Sequence, residues 1–464
     1  MPAHDPEHAS NAAYEEALHR LLSLADLERM TGHAAPTYKY DLERMRELAT
    51  RLDLLHGGPP LIHVAGTKGK GSVAAMTASA LRAHGLRTGL YTSPHLHSFR
   101  ERIRLNGEQL AEQTFAAAVA RIWPVVEDMA QEPIGAPSTF EALTAMALDV
   151  FRDEEADAVV LEVGLGGRLD ATNVAPSNVA VITSVSLDHT AILGSTVEEI
   201  AVEKAGIVKG TQPVISAPQY PGAMNVIRAR AQAMGAPLTE VGRDVPYVQE
   251  AHDLTGQTVL VTTARDRYRI RLPLLGAHQA ENAAVAVAAL EQAPLPLTRD
   301  AIEAGLASVR WDGRFQLLAT DPYLVVDGAH NPYSMARLRE TVREYLPGAR
   351  VHLVFGASSD KQIDLLTGEA AAFADEVWTV ASRHPRAAHP GMLASLFERL
   401  GTSSHSASSV AEGIGQALDA ADSGDLVLVT GSLFAVAEAL QYSLGIAGEH
   451  YPEFDPQASA LGRV

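Results

Sequence analysis

Short apolar runs recur along this chain from Leu61 onward, and stretches with helical periodicity separate them. A run that is apolar at nearly every position is typical of a strand buried on both faces, as in a parallel sheet covered by helices. The alternation therefore predicts an α/β fold built on a mostly parallel sheet. The strands of this first block are predicted at LIHVAG, RTGLYTS, DAVVLEVG and NVAVITSV, and its helices over 72–84, 139–152 and 196–208.

The pattern changes twice further along the chain. Between Pro237 and Pro273, short alternating segments such as QTVLVTT and RYRIRL predict a small antiparallel sheet attached to the first block. From FQLLAT onward a second strand–helix alternation begins, which predicts a smaller Rossmann-like α/β domain. We therefore divide the chain into an N-terminal domain at 1–308, a hinge at 309–316 and a C-terminal domain at 317–464.

Composition excludes several classes of function. The 464 residues suffice for two or three hydrophobic cores. The net charge of −19 disfavours DNA or RNA as a partner, because a polyanion needs a broad basic surface. The chain has no cysteine, which excludes disulfides, zinc–thiolate sites and thiol nucleophiles. The N-terminus has no signal-peptide core, and no run reaches the roughly 18 apolar residues of a membrane span. We expect a soluble cytoplasmic protein without membrane contact.

The stretch HVAGTKGKGSVAAM, at 63–76, joins a predicted strand to a predicted helix. It fails the Walker A pattern G-x-x-x-x-G-K-[ST] twice: Val64 stands where the first glycine belongs, and Gly71 separates Lys70 from Ser72. The chemistry of a phosphate site is still present. Glycines allow close backbone approach, N–H groups and the helix dipole face the anion, Lys70 supplies a charge, and Ser72 can ligate Mg²⁺. The alternative is a glycine-rich turn with solvated lysines.

A phosphate–Mg²⁺ site also needs a carboxylate, which should lie at the carboxyl end of a neighbouring strand. Glu162 fits, because four apolar residues precede it and a glycine-rich turn follows; a salt-bridged core residue is the alternative. Glu141 competes with it but lies within a helical pattern. His189 follows another predicted strand, so it is either a metal ligand or a structural or exposed histidine. The spacing around Lys204 indicates a solvated or salt-bridged lysine on a helix.

Six motifs in a fixed order resemble the folylpolyglutamate synthase/dihydrofolate synthase family, part of the Mur-ligase superfamily. The resemblance extends from about Tyr38 to Ala437, and the ending Lys-Gly-Ser of the phosphate loop resembles the folate branch rather than the cell-wall Mur ligases. Each motif is modest alone, whereas the ordered set is highly specific. The motifs are HVAGTKGKGSVAAM, YTSPHLHSFRERIRLNG, LEVGLGGRLDATN, SLDHTAILGSTVEEIAVEKAGIVK, DGAHNP and VFGASSDK.

The resemblance implies an ATP-binding N-terminal domain with a P-loop-type sheet and a C-terminal ligase domain. It implies that ATP phosphorylates a folate carboxylate, and that the amine of L-glutamate attacks the acyl phosphate to form an amide, releasing ADP and phosphate. The acid is a tetrahydrofolate, with dihydropteroate as a second candidate that would yield dihydrofolate. The implied cofactor is Mg²⁺ at two sites, with ATP as co-substrate, and the implied oligomeric state is a monomer.

The resemblance also implies roles for particular residues. Lys204 matches a lysine that CO₂ carbamylates, so that it becomes a metal ligand beside Ser72, Glu162 and His189. Lys70, Asp170 and His330 are implied as catalytic groups. The remaining implied contacts are with ATP at Gly66, Thr67, Lys68, Gly69, Lys70, Gly71, Ser72, Asn282, Arg314 and Asp327, with the pterin at Phe140, Arg168 and Asp170, and with glutamate at His330 and Ser432. The plain alternatives are a hinge-surface arginine at 314, a helix or turn cap at Asp170 and a core aromatic at Phe140.

Two positions depart from the family pattern. Lys68 stands where Asn is commoner, which predicts an extra cation beside the phosphates. Asp312, in RWDGR, stands where Pro is usual, which predicts a freer hinge. Four alternative functions stay open: a P-loop kinase, a Mur-type ligase acting on another acid, a folylpolyglutamate synthase without the second activity, and a nucleotide-binding scaffold without turnover.

Overall fold

The computed structural model describes residues 6–25, 41–359 and 361–449. The outer ends of the two predicted domains, the start of the family resemblance near Tyr38 and Asp360 of the motif VFGASSDK lie outside the described residues. Within these ranges the chain forms two large sheets and one small sheet, with helices packed against them. No helix of this part of the chain is long and apolar enough to cross a membrane.

The N-terminal part is built on an eight-stranded sheet. Its strands are β1 (Leu61–Ala65), β2 (Thr88–Tyr91), β3 (Ile103–Leu105), β4 (Glu108–Gln109), β5 (Ala158–Glu162), β6 (Val179–Ile182), β7 (Val214–Ser216) and β8 (Leu238–Glu240). They lie in the order β4-β3-β2-β5-β1-β6-β7-β8, with only β3 and β4 antiparallel to their neighbours. Every residue of β1, β5 and β6 is buried, as their continuous apolar runs predict. The predicted α/β class with a mostly parallel sheet is confirmed.

Helices cover both faces of this sheet and create separate cores. They are α1 (Pro6–Ser23), α2 (Glu43–Arg51), α3 (Lys70–Ala83), α4 (Glu112–Ala130), α5 (Thr139–Asp153), α6 (Thr190–Leu193), α7 (Val197–Ala205), α8 (Pro221–Met234), α9 (Ala277–Gln292) and α10 (Arg299–Ala307). Helices α3, α9 and α10 share one core with the sheet, whereas α1, α4 and α5 form a second core. The alanine-rich face of α9 lets these helices lie close together, which places α3 firmly at the end of β1.

The small antiparallel sheet begins later than the sequence predicts. Its strands are β9 (Tyr247–Asp253), β10 (Gly256–Thr262) and β11 (Arg267–Leu272). The segment at 238–240, predicted to belong to it, instead pairs parallel with β7 as the last strand of the large sheet. Alternate residues of β10 and β11 are buried, so one face of this sheet packs on the core of α9, as the alternating pattern predicts.

The C-terminal part is a six-stranded sheet in the order β12-β13-β17-β14-β15-β16, parallel except for β12. Its strands are β12 (Gln316–Thr320), β13 (Tyr323–Val326), β14 (Val351–Phe355), β15 (Glu376–Thr379), β16 (Ser403–Ser406) and β17 (Leu426–Thr430). Its helices are α11 (Pro332–Tyr345), α12 (Ile363–Ala371), α13 (Pro390–Arg399), α14 (Val410–Ala420) and α15 (Leu433–Leu444). The arrangement has the predicted Rossmann-like character.

Candidate active site

A cleft of about 1240 Å³ is lined by segments that follow the parallel strands of both large sheets. In α/β sheets ligands bind outside the carboxyl ends of the strands, so this is the expected place for a site. All the site residues predicted from the sequence line this one cleft. They are Gly66, Thr67, Lys68, Gly69, Lys70, Gly71, Ser72, Phe140, Glu162, Arg168, Asp170, His189, Lys204, Asn282, Arg314, Asp327, His330 and Ser432.

The first part of the glycine-rich loop is anchored to the segment after β6. The N–H groups of Thr67 and Lys68 both donate to the carbonyl of Ser184, at 2.8 and 3.2 Å. The hydroxyl of Thr67 donates to the carbonyl of Ser186 at 3.1 Å. These two amides therefore do not face an anion, contrary to the expectation that the whole loop would cradle phosphate. Thr67 instead holds the loop in place.

The following amides are the ones that can face an anion. Helix α3 begins at Lys70 rather than Ser72, and its first internal bond runs from Val73 N–H to the Gly69 carbonyl at 2.9 Å. The N–H groups of residues 69–72 thus have no partner within the helix, and the helix dipole adds positive potential there. Gly69 has φ of +85°, and a Cβ on it would lie 2.4 Å from Asn282 Oδ1. Glycine is what allows Asn282 to lie against the loop.

Gly71, which breaks the Walker A spacing, is explained by the hinge. A Cβ on Gly71 would lie 3.0 to 3.2 Å from three ring atoms of Trp311, in the motif RWDGR. Such contacts are tighter than ordinary van der Waals separations, so a larger residue would displace the indole ring. The hinge therefore packs directly on the phosphate loop, and the two motifs constrain each other.

Glu162 ends β5 beside the phosphate loop, because Val64 of β1 pairs with it in register. Its side chain is buried, and the structure gives its carboxylate one hydrogen bond from the described residues, donated by Ser93 N–H at 3.3 Å. Burial raises the pKa of Glu162 to about 7, although the nearby charge of Lys70 opposes this rise. A buried carboxylate with so few partners is a group that a bound cation would stabilise.

Glu141, the competing carboxylate, is accounted for by the fold. It accepts a hydrogen bond from Ser138 N–H at 2.7 Å in a capping box at the start of α5. It also forms an ion pair with Arg44, whose Nε and Nη2 donate to it at 2.9 and 3.1 Å. Its oxygens are therefore used to hold helices together, and Glu162 is the better candidate for a cation ligand.

Lys204 is buried rather than solvated, so the prediction from its spacing was wrong. Its Nζ donates to the carbonyl of Gly66 at 2.9 Å, and burial, together with the charge of Lys70, lowers its pKa to about 7. His189 is the N-cap residue of α6, and its side chain is 44% exposed. Partial desolvation, with the charges of Lys361 and Lys70 nearby, lowers its pKa. No group of three or more His, Cys, Asp or Glu side chains in the described ranges is arranged to hold a metal ion. A metal here would need ligands of other types, such as a hydroxyl, phosphate oxygens or a modified lysine.

Asp170 acts as the cap that the alternative interpretation describes, and it also lines the cleft. Its Oδ2 accepts from Leu165 N–H at 2.9 Å, and its Oδ1 accepts from the N–H of Thr172 at 3.0 Å and from the hydroxyl of Thr172. Nε2 of the buried His63 lies 2.8 Å from the same hydroxyl oxygen. Because that hydroxyl donates to Asp170, it accepts from His63, which fixes the histidine as the Nε2–H tautomer.

We expect His63 to make the fold less stable in acid. Burial, with Lys209 nearby, lowers the pKa of His63 to about 3, whereas the unfolded chain protonates near about 6.5. Between these values only the unfolded chain binds the proton, so the stability is present above about 6.5 and is lost as the pH falls toward about 3. Urea denaturation of wild type and His63→Gln at pH values of about 7 and about 4.5 should show a smaller loss in the variant.

His56→Gln is the control for this experiment, because the side chain of His56 is 87% exposed. It should lose as much stability between the two pH values as wild type. The same loss in His63→Gln as in wild type would contradict the prediction. The quantity compared between variants is the change in the free energy of unfolding from one pH to the other. A general destabilisation by the substitution affects both pH values equally and does not obscure this change.

Asp327 and Arg314 lie at the junction of the two domains. The carboxylate of Asp327 accepts from Phe315 N–H and Ala329 N–H, both at 2.8 Å, so it holds the hinge backbone. Arg314 Nη1 donates to the carbonyl of Gly313 at 3.0 Å. Asp312, expected to free the hinge, accepts a hydrogen bond from Gln316 Nε2 at 3.1 Å. Within the predicted hinge, Asp312 is thus tied to Gln316.

The predicted pterin and glutamate residues lie on opposite sides of the cleft. Phe140 packs on Tyr91 with ring centroids 6.0 Å apart, and Arg168 forms an ion pair with Glu203 at 2.8 Å. On the C-terminal side Ser432 caps α15, with its hydroxyl accepting from Phe434 N–H at 3.2 Å. The pterin and glutamate contacts of these residues stay predictions.

Several polar residues of the cleft have no assignment from the sequence. Among them are Ser93, Arg102, Asp188 and Lys361. All four lie within motifs that carry the family resemblance, but spacing along the chain does not show which side chains meet across a cleft. Of these residues, Asp188 most changes the interpretation of the site. It forms an ion pair at 3.0 Å with Lys68, which was expected to contact the phosphates.

Comparison with known families agrees with this geometry. Residues 64–290 match the model of the Mur ligase middle domain, and residues 313–433 match the model described as Mur ligase, glutamate ligase domain. The two sheets, the phosphate loop and the cleft between them are therefore those of a Mur ligase.

Individual relatives show which family of Mur ligases this chain resembles. The dihydrofolate synthase/folylpolyglutamate synthase of Bacillus subtilis is 34% identical over 86% of this chain and 94% of its own length. The structure of Escherichia coli FolC with DHPP and ADP is 34% identical, with a TM-score of 0.82 over 92% of this chain and 97% of that one. The chain belongs to the folylpolyglutamate synthase/dihydrofolate synthase family.

Two relatives are much longer than this chain. A probable bifunctional folylpolyglutamate synthase/dihydropteroate synthase of Halobacterium salinarum is 40% identical over 97% of this chain but only 54% of its own length. For the corresponding protein of Haloferax volcanii the matched share is 50% of its length. The chain thus spans about half the length of these two curated relatives.

Proposed function

We propose that this protein joins L-glutamate to the carboxylate of a folate, with conversion of ATP to ADP and phosphate. The γ-phosphate passes to the carboxylate, the glutamate amine attacks the acyl phosphate, and an amide forms as phosphate leaves. Tetrahydrofolates are the proposed acceptors, with dihydropteroate as a second acceptor. The bifunctional names of the relatives in Bacillus subtilis and Escherichia coli support both acceptors. The structure of a relative with DHPP and ADP supports a site that takes a nucleotide together with a second substrate.

One observation carries this proposal. The amides of residues 69–72, Lys70 and Glu162 line the same cleft as His330 and Ser432 from the C-terminal sheet. A carboxylate is a poor electrophile, and its phosphorylation brings several anions together. Positive groups on one side of the cleft can offset that charge, while the other side holds the amine close to a short-lived acyl phosphate. Related structures with AMPPNP, Mn and L-glutamate bound support a site that takes a nucleotide, a divalent metal and the amino acid.

We propose Mg²⁺ as the metal, at two sites. Ser72 and Glu162 would hold one ion at the phosphates, and a carbamylated Lys204 would join His189 and Glu162 at the second ion. The oxygen-rich character of these groups fits Mg²⁺, and the poorly partnered carboxylate of Glu162 is the observation that supports a cation there. When bound, the metal would offset negative charge on the phosphoryl group.

We expect Lys204 to react with CO₂. Carbamylation needs a neutral amine, and the lowered pKa of about 7 makes a large neutral fraction available near neutral pH. The amine adds to the carbon of CO₂ and loses a proton, which turns a cation into a carboxylate. Protein incubated with ¹³C-bicarbonate should show one carbamate carbon resonance that is absent in Lys204→Gln and present in Lys209→Gln. A spectrum without this resonance, or one unchanged in Lys204→Gln, would contradict the prediction.

The proposed function is tested by ADP release with tetrahydrofolate and with dihydropteroate, each with and without glutamate. We expect ADP only when an acceptor and glutamate are both present. ADP release that needs neither would favour an ATPase, and release with an acceptor but without glutamate would favour a kinase. Release with glutamate and a different acid would favour another Mur-type ligase. Tight ATP binding without any turnover would favour a scaffold. The monomeric state and the cytoplasmic location stay predictions, the first of which sedimentation would check.

A further inference from the structure

The side chain of Lys68 turns from the phosphate loop toward the other side of the cleft. Its Nζ lies 3.0 Å from Asp188 Oδ2 and 2.9 Å from His330 Nε2. Asp188 follows β6 of the N-terminal sheet, whereas His330 follows β13 of the C-terminal sheet. The lysine side chain is 17% exposed and the aspartate side chain 11%. A mostly buried cation therefore joins the two halves of the molecule.

The hydrogen bonds define the state of His330. Its Nδ1 lies 2.7 Å from the carbonyl oxygen of Gly328, which can only accept, so Nδ1 carries the proton. The ammonium of Lys68 can only donate, so Nε2 must accept from it. Burial, with the charges of Lys68 and Lys361, holds the pKa of His330 well below its usual range. His330 is therefore a neutral ring with both nitrogens engaged.

The carboxylate of Asp188 also contacts side chains from the C-terminal part of the chain. Nδ2 of Asn331, from the C-terminal side, donates to Oδ2 at 3.0 Å, and Lys361 Nζ lies 3.8 Å from Oδ1. A carboxylate of the N-terminal domain is thus contacted by Lys68 of the phosphate loop and by Asn331 and Lys361 of the C-terminal domain.

We propose that Lys68 is a positioning residue that ties the phosphate loop to the amino-acid side of the cleft, and not a second phosphate-binding lysine. The proposal rests on the proposed function, because that function assigns the C-terminal side to glutamate. Two of the ammonium's three hydrogens are used by Asp188 and His330, and Asp188 already offsets its charge. A side chain as short as that of Asn could not span both partners.

The test compares Lys68→Met, Lys68→Arg and Lys68→Asn. We expect Lys68→Met and Lys68→Asn to raise the KM for glutamate roughly tenfold, and to change the Kd of a non-hydrolysable ATP analogue less than about threefold. Lys68→Arg, which can donate to both partners, should recover part of the glutamate KM. An analogue Kd raised tenfold or more, with an unchanged glutamate KM, would show a phosphate ligand and overturn the proposal.

Asp188 provides an independent check. Asp188→Asn should raise the glutamate KM in the same way, and combining it with Lys68→Met should add little, because both remove one tie. Fully additive effects would overturn the proposal. Lys209→Met is the control for losing a half-buried lysine, since Lys209 donates to the backbone carbonyls of Asn173, at 2.9 Å, and Ala175. It should leave both constants unchanged.

Failure of the proposed function can be told apart from failure of the tie. If wild-type protein releases no ADP with folate and glutamate, the proposed function is wrong, but the proposed role of Lys68 is not yet tested by that result. The tie is then judged by small-angle scattering with the ATP analogue bound. We expect a larger radius of gyration for Lys68→Met than for wild type, because the two sheets are less firmly held together. Equal radii would overturn the tie.

Discussion

Replacement of Lys70 by alanine is expected to lower the rate of ADP formation by about 10³-fold while the protein stays folded. Lys70 is the first residue of α3 and lines the cleft beside the amides of residues 69–72. Lys68 cannot replace it, because its ammonium is bound to Asp188 and His330. The charge that develops on the transferred phosphoryl group would then lack its main side-chain partner.

The Lys70 experiment uses a coupled assay for ADP with saturating folate and glutamate, and a thermal melt to confirm folding. Lys209→Ala is the matched control, because it removes a lysine that does not line the cleft. We expect this control to keep turnover close to that of wild type. Turnover of Lys70→Ala within about tenfold of wild type would contradict the assignment of the phosphate site.

Replacement of Glu162 by alanine is expected to abolish turnover and, above neutral pH, to leave the metal-free protein as stable as wild type or more stable. Burial raises the pKa of Glu162 to about 7, above its value of about 4.3 in an unfolded chain. A carboxyl group whose pKa is higher in the folded protein stabilises the fold when the pH is below its pKa in the unfolded chain. This contribution is lost as the pH rises through about 7. At pH of about 8 the buried carboxylate is ionised and weakens the metal-free fold.

The second readout for Glu162 is the shift in melting temperature that Mg²⁺ causes. Wild type should be stabilised by Mg²⁺ in the presence of an ATP analogue, by an amount that follows the metal affinity. The shift should be nearly absent in Glu162→Ala. If the variant keeps the full Mg²⁺ shift and its turnover, Glu162 is not a metal ligand.

Glu141→Ala is the control for this experiment, because Glu141 was the competing candidate in the sequence. It caps α5 and binds Arg44, so its removal should cost about 1 kcal/mol of stability or somewhat more. The Mg²⁺ shift should stay as in wild type. The two variants are therefore expected to behave in opposite ways. Glu162→Ala should lose the shift in melting temperature caused by Mg²⁺ and keep its stability, whereas Glu141→Ala should lose stability and keep that shift.

Local patterns explain why so much of the fold was predictable. The continuous apolar runs at β1, β5 and β6 predict buried parallel strands, and the residues that follow such strands must meet at one edge of the sheet. That rule explains why Glu162 lies beside the phosphate loop. The alternation in β10 and β11 predicts the small sheet, but the segment at 238–240 was misassigned, because three residues do not reveal whether their partner strand is parallel or antiparallel.

Side-chain partners were the least predictable feature. The spacing around Lys204 indicates a solvated or salt-bridged lysine, yet the side chain is buried in the cleft and donates to the carbonyl of Gly66. Thr67 belongs to the phosphate motif, yet its amide and hydroxyl are used to hold the loop to the segment after β6. Burial and partner choice depend on which elements pack together, and no short window of sequence contains that information.

The sequence by itself determined the fold class, the family and many of the residues that line the cleft, because these depend on periodicity and on short motifs. The tertiary structure alone decided how those residues are used. It paired Lys68 with Asp188 and with His330, which are 120 and 262 positions away along the chain. It also set Trp311 against Gly71. Such contacts arise only when two separate sheets close on one cleft, and burial there sets the charges and hydrogen bonds that chemistry would use.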